Sequence, residues 1–316
     1  MDESFPTVHR NLAQAYFNKT REVKKAVQSL EKAYQLDETD ARVLMELDLL
    51  YKKTGVSLKN RLEFLEAHMT QTMSRDDLFI EYITILNSLQ KYEEALSKIK
   101  SHKFHPWEGG EGKVSTQYLV ALKEIAKNKM KNGMIQEALI LLEEAAGPYP
   151  YNLGEGKLAG AAENDIYYYM GLCYEQLEEK QKALQCLKKA SDGISEPAGM
   201  MYYNDQPPES IYYQGLALLK LKEEKEAQLR FEKLIAYGAE HIEDTIKIEY
   251  FAVSLPDLQI FEEDLDKKNK VHCLFMLGLG TLGIGDRRKG IAYLEEASRI
   301  DPNHMGIMLH LQAVTM

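Results

Sequence analysis

The chain has no run of about 18 apolar residues, the length from which a membrane-spanning helix is read. Its opening residues, M-D-E-S-F-P-T-V-H-R, carry neither the basic stretch nor the apolar stretch of a secretory signal. Together these absences lead us to expect a cytoplasmic protein with no membrane partner. Cysteine is scarce as well. Cys173, Cys186 and Cys273 are three in number and fall within helical patterns, which reads as buried thiols and not as a disulfide framework. Positive charge is in deficit: 39 Lys and Arg against 49 Asp and Glu leave a net charge of −10. That argues against nucleic acid as a partner, because phosphate contacts need clustered Lys and Arg. Low-complexity tracts and long Pro or Ser linkers are missing, so nothing suggests disorder. His102 and His105 lie at helical spacing, but no carboxylate–His or Cys–His cluster accompanies them in the sequence. Neither a metal nor another cofactor is expected.

What the sequence does have is a repeated helical hairpin. From Asn164 to Pro197 its apolar and small residues fall at helical spacing in two blocks, Tyr167, Met170, Gly171 and Tyr174, then Ala183, Leu187 and Ala190. A glycine inside a helix costs about 1 kcal/mol relative to alanine, so Gly171 needs a packing reason. Close approach of the second helix supplies it. Aligning the chain on the small residue of that second helix repeats the pattern: Ala26 with Leu30 and Ala33, Ala95 with Ile99, Ala138 with Leu142 and Ala145, Ala227 with Phe231, and Gly290 with Leu294 and Ala297. A further copy, Leu47-Asp48 with Tyr51, runs into a second helix from Leu58 to Thr72 that lacks the small residue. The pattern resembles the tetratricopeptide repeat. That resemblance implies an all-α protein, a right-handed α-solenoid of about seven hairpins spanning 1–316 as a single body.

Residues 1–103 read as regular N-terminal units, with one extra residue in the turn around Thr20 and Asp40 as a helix cap. Beyond them Ala95, Ala138, Ala183 and Ala227 stand 43, 45 and 44 positions apart. The standard period is about 34, so about ten residues are inserted in each unit of 104–236. The first two insertions, Phe104 to Val114 and Tyr149 to Gly160, share Gly-Glu-Gly-Lys, as Gly110 to Lys113 and Gly154 to Lys157. The third is A-G-M-M-Y-Y-N-D-Q-P-P, Ala198 to Pro208. Loops inserted at the same place in successive units emerge on one side of a solenoid, so the three are expected to cluster. A larger insertion, 237–270, sets the acidic Glu262, Glu263, Asp264 and Asp266 beside the apolar Phe251, Val253, Leu255 and Ile260. It is expected to lay a short helix or extended segment on the stack. Residues 271–316 restore the hairpin and add a terminal helix.

The wording of the insertions is distinctive: H-P-W-E-G-G-E-G-K, N-L-G-E-G-K-L-A-G, E-N-D-I-Y, M-Y-Y-N-D-Q-P-P and Y-F-A-V-S-L-P-D. Together they resemble the C-terminal repeat region of long bacterial proteins that carry a β-rich domain of unknown function upstream. The match runs from about Phe104 to the end. It implies no settled activity and, for some members, a carbohydrate-metabolism setting.

Gly-Glu-Gly-Lys invites a phosphate-cradle reading, but neither copy has the spacing of a P-loop, and glycines at positive φ account for tight turns. Glu108, Glu111 and Glu155 are candidates for the paired carboxylates of glycoside hydrolysis. An enzyme using Glu111 and Glu155 is set behind binding, because a chain with 49 Asp and Glu brings some together by chance. Inner positions of the first helices bring Asp165 and Tyr168, Glu209 and Tyr212, and His272 and Phe275 to the concave side. The leading expectation is a non-enzymatic scaffold that binds a protein, a peptide or a small polar ligand. Its site would gather Trp107, Glu111, Lys113, Glu155, Lys157, Tyr203, Asn204 and Asp205 beside Asp165, Tyr168 and Tyr212. The alternative is an accessory domain of a larger bacterial carbohydrate-active protein, whose loops complete a saccharide site.

Overall fold

A computed structural model describes residues 4–158, 160–199, 205–247 and 260–315. These are all-α: sixteen α-helices and no strand among the described residues. By packing, the chain divides into two compact units, Met1–Tyr118 with Asn152–Glu155 and Glu249–Glu263, and Leu119–Tyr151 with Gly156–Ile248 and Asp264–Met316. The first contains α1 (Pro6–Ala15), α2 (Val23–Leu36), α3 (Ala41–Lys53), α4 (Leu58–Ala67), α5 (Met69–Met73), α6 (Asp76–Ser88), α7 (Tyr92–Ser101) and the start of α8 (Lys113–Lys131). The second contains the rest of α8, then α9 (Ile135–Ala146), α10 (Asn164–Gln176), α11 (Lys180–Ser191), α12 (Pro208–Lys220), α13 (Glu224–His241), α14 (Leu265–Gly283), α15 (Arg287–Ile300) and α16 (Met305–Thr315). Successive helices pair as antiparallel hairpins of α-solenoid type, and the expected fold class is the observed one.

The small residues that set the register are the reason the hairpins close. Ala26, Ala95, Ala138, Ala183 and Ala227 are all buried. In three successive hairpins of the second unit the side chain four residues after the small one presses on a glycine of the first helix. A Cβ built on Gly171 would lie 2.9 Å from Leu187 Cδ2, one on Gly215 2.3 Å from Phe231 Cε1, and one on Gly278 2.5 Å from Leu294 Cδ2. The turns are equally regular. A residue at positive φ follows the first helix as Gln90, Gly133, Glu178, Lys222 or Gly285. The next amide then bonds back five residues, Lys91 to Leu86 O and Glu223 to Leu218 O at 2.9 Å each, which is the Schellman closure.

Two irregularities in the first unit have identifiable causes. The extra residue near Thr20 is absorbed as a π-helical turn, Tyr16–Thr20, where the Glu22 amide donates to Tyr16 O at 2.9 Å. The second helix without a small residue breaks at His68 into α4 and α5. Asp48 stands at the position that glycine holds in those three hairpins, and it and Arg61, each 1% exposed, form a bidentate pair at 3.0 and 2.6 Å. Arg61 also reaches Glu81 at 2.8 Å, and Lys52 joins Glu81 at 2.9 Å. Burial opposes ionisation of Glu81, but Lys52 and Arg61 outweigh it and hold the carboxyl at about 2. Asp40 caps α3 as expected, accepting from the amides of Arg42 and Val43.

Of the large insertion, Phe251, Val253 and Leu255 lie outside the described residues. Ile260 to Glu263 docks on the π-helical turn of the first hairpin. Asn18 donates to Ile260 O at 2.9 Å and accepts from the Glu262 amide at 2.8 Å. Phe261 is fully buried against Phe17, with ring centroids 5.2 Å apart.

Candidate functional site

In the first unit the loop between α7 and α8 and the segment Asn152–Glu155 are built as one structure. Asn152 donates to the last carbonyls of α7 and its exit, Ile99 O and His102 O, at 2.8 Å each. Its own carbonyl accepts the Phe104 amide at 2.8 Å. Phe104 is thereby fixed, 1% exposed, with its ring 4.6 Å from His102 and 6.0 Å from Phe79. Gly154, at φ +75°, passes so close to this strand of chain that a Cβ would stand 2.7 Å from Phe104 O. Only glycine fits both constraints.

Glu155 then crosses to the N-terminus of α8. Its carboxylate accepts the Gly112 amide at 2.8 Å and the Ser115 amide at 2.7 Å. Those are donors that a helix start leaves open, so a carboxylate 40 residues away acts as the cap. On the other side Asp76, at the start of α6, accepts from His102 Nε2 at 2.7 Å and from His105 N and Nδ1 at 2.8 and 3.1 Å. Burial opposes the charge on Asp76, but these hydrogen bonds prevail and hold its carboxyl below the ordinary carboxylate range. The two histidines do have a carboxylate partner, one that sequence spacing does not reveal. Among the described residues no group of three His, Cys, Asp or Glu is placed to hold a metal ion.

Between these fixed points lies a cavity of about 330 Å³. His105, Pro106 and Trp107 form one wall, Glu108, Gly110, Glu111 and Val114 continue it, and Leu153, Gly154 and Glu155 close it. The indole of Trp107 lies on the backbone of Gly110, where a Cβ would meet Cε2 at 2.2 Å. Trp107, Glu111 and Glu155 thus share one cavity. Lys113 opens α8. Lys157, in the second unit, is turned to the C-terminal end of α9: it donates to Ala146 O at 2.6 Å and Gly147 O at 3.2 Å and pairs with Glu163. The two Gly-Glu-Gly-Lys copies therefore have different jobs, since Glu155 and Lys157 cap helices while Glu111 faces the cavity. Tyr203 and Asn204 lie outside the described residues; Asp205, half-buried in the second unit, is within electrostatic reach of His272.

In the second unit the inner positions of the first helices carry a dense polar and aromatic layer. Lys123 pairs with Asp165, and Lys127 pairs with Glu124 at 2.8 Å and stands over the Tyr169 ring. Tyr168 and Tyr169 pack on Tyr213, with the Tyr169 and Tyr213 hydroxyls 3.1 Å apart. Here the structure departs from an open groove. The terminal helix α16 lies on this face: His310 sits 5.8 Å from Tyr212, 6.1 Å from Tyr213 and 5.5 Å from Phe275, ring to ring, and Ile307 joins the same apolar cluster. Gly306 backs onto Glu209, whose Oε1 would be 2.5 Å from a Cβ there. Burial pushes the Glu209 carboxyl up to about 7, against the pull of Lys123, and pushes His304 and His310 down to about 4. Tyr212 and Glu209 are therefore covered by the chain itself.

Hairpins closed by a Leu or Phe side chain pressed on a glycine, and by a Schellman turn, define a helical-hairpin repeat protein. Residues 165–191, the α10–α11 hairpin, match the family model of the tetratricopeptide repeat. Among solved structures the chain is similar to the TPR domain of P58(IPK), at 15% identity over 98% of this chain and 97% of that one, with a TM-score of 0.34. It is similar to YrrB, a TPR protein with an unusual peptide-binding site, at 17% identity over 75% and 91% with a TM-score of 0.25. BtubC (BKLC) from P. vanneervenii matches at 15% identity over 81% and 90%, with a TM-score of 0.33. At these scores the likeness adds no argument about function. Among the described residues no helix is long and apolar enough to cross a membrane.

Proposed function

We propose that this chain is a non-catalytic binding module, and that the cavity at Trp107 is where it recognises a protein, a peptide or a small polar ligand. The observation that carries this reading is the assembly of the cavity. Two inserted loops are clamped together by Asn152 and Glu155 so that the one tryptophan of the chain forms a wall. Such loops, held rigid over a helical scaffold and lined by aromatic and polar groups, are the usual place for recognition. An aromatic wall with carboxylates also suits the alternative, an accessory role in a saccharide site of a larger bacterial protein. A cytoplasmic setting belongs to the same proposal.

Trp107 is a built-in reporter. Its fluorescence is to be followed against a panel of peptides, neutral oligosaccharides and sugar phosphates, and again with Glu155→Ala, which uncaps α8 and loosens the cavity. Saturable change with one class, weakened in the variant, supports the reading. A flat response to every class, with calorimetry also silent, sinks it.

A further inference from the structure

We infer that the Trp107 cavity takes a cation: the guanidinium or ammonium group of an Arg or Lys side chain presented by a basic peptide. This rests on the binding-module reading and narrows it to a ligand class.

The feature that would attract an anion is the N-terminus of α8, and its Gly112 and Ser115 amides are already engaged by Glu155. Of the other donors on the rim, the His105 amide and Nδ1 are held by Asp76, which leaves the indole N–H of Trp107. A phosphate, which needs several donors at once, therefore finds the helix N-terminus and His105 already engaged. The acceptors are in the opposite state. Glu108 and Glu111 line the cavity and make no hydrogen bond or ion pair among the described residues, while no Lys or Arg contributes to its walls. Beside these two carboxylates stands the indole of Trp107, backed on Gly110 and so held in place. An indole and carboxylates around a small recess are the elements of cation recognition, since the ring quadrupole and the negative charges attract the same guest. The volume, about 330 Å³, admits one long side chain. A net charge of −10 steers a basic peptide toward the molecule and an acidic one away.

The test uses the whole chain and four probes: acetyl-Ala-Arg-Ala-amide, the same peptide with the neutral isostere citrulline, the same peptide with aspartate, and a neutral trisaccharide. Trp107 fluorescence and calorimetry are read in parallel. The arginine peptide is expected to saturate both signals, and the citrulline peptide to bind about tenfold more weakly, the size of a desolvated cation–aromatic contact. Glu108→Gln with Glu111→Gln is expected to weaken the arginine peptide by about tenfold with an unchanged circular dichroism spectrum, and added salt to weaken it further. Equal binding of arginine and citrulline, or an undiminished affinity in the double variant, overturns the inference. Saturation by the aspartate peptide or the trisaccharide alone overturns the cationic class and leaves the binding module standing. No heat and no fluorescence change with any of the four overturns both.

Discussion

Asp48 and Arg61 meet side-on inside the second hairpin, two carboxylate oxygens against two guanidinium nitrogens at 3.0 and 2.6 Å, with both side chains 1% exposed. Asp48 holds the first-helix position that Gly171, Gly215 and Gly278 hold in three hairpins of the second unit, where Leu187, Phe231 and Leu294 press on the glycine. A buried pair is strongly destabilised when one partner is lost, because the other is left charged without compensation. Arg61→Met alone is expected to cost about 3–5 kcal/mol of unfolding free energy in urea. Combining it with Asp48→Leu should recover most of that loss. A double variant no better than the single one would show that the pair is not the coupled unit described.

Gly171→Leu tests the ordinary closure. The added side chain meets Leu187, already 2.9 Å from where its Cβ would stand, and overpacking of this kind costs roughly 1–3 kcal/mol. Thermal unfolding should drop by several degrees, and Leu187→Ala in the same chain should return part of it. An unchanged melting temperature would contradict the register of the α10–α11 hairpin.

The turns offer a stabilising change. Lys222 is exposed and held at φ +65°, a conformation that costs a side-chain-bearing residue about 1–2 kcal/mol and glycine almost nothing. After the greater flexibility of glycine in the unfolded chain is subtracted, Lys222→Gly should gain roughly 0.5–1 kcal/mol. The urea midpoint is the measurement, and a lowered midpoint would refute the strained turn.

Glu209 makes stability depend on pH with a defined sign. Its folded value of about 7 lies above the ordinary 4.5, so its contribution is complete below 4.5 and is lost as pH rises through 7. Lys123 and Asp165 face it from α8 and α10, and α16 covers it at Gly306. His304 and His310, lowered to about 4, act in the other direction: their contribution is complete above 6.5 and fades as pH falls through 4. The informative quantity is therefore the difference between the native chain and Glu209→Gln. It should fall by up to about 3 kcal/mol between pH 4.5 and 7 and be level outside that window. A difference independent of pH would mean that Glu209 ionises freely.

The register of the hairpins was legible because one spacing recurs: a small residue and a large one four later mark the second helices, and in three hairpins a glycine, Gly171, Gly215 or Gly278, stands across from the large one. The buried thiols were legible from helical position alone, and Cys173, Cys186 and Cys273 are unpaired and buried. Arg61 was not, since a lone charged residue in a helix reads as surface until its partners at 48 and 81 are known. The site was legible in part. Glu111 and Glu155 could be picked out by the repeated Gly-Glu-Gly-Lys, and Trp107 as the one tryptophan in the same insertion as Glu111, but which Glu caps a helix depends on backbone amides that carry no sequence signature. Asp76 and Asn152 were missed for the same reason. The cover over Tyr212 comes from His310, some 98 positions further on, and no local spacing announces it.

The docking of Ile260 to Glu263 on the first hairpin has a consequence in time. Asn18 waits for partners 242 and 244 positions further along the chain. At a synthesis rate of about 5–20 residues per second, the first hairpin leaves the ribosome roughly 10–50 s before the segment that buries Phe17 can reach it. Until then its π-helical turn and the ring of Phe17 stand uncovered, and a nascent chain halted before residue 260 should bind a hydrophobic dye at that hairpin, whereas one extended past residue 263 should bind less of it there.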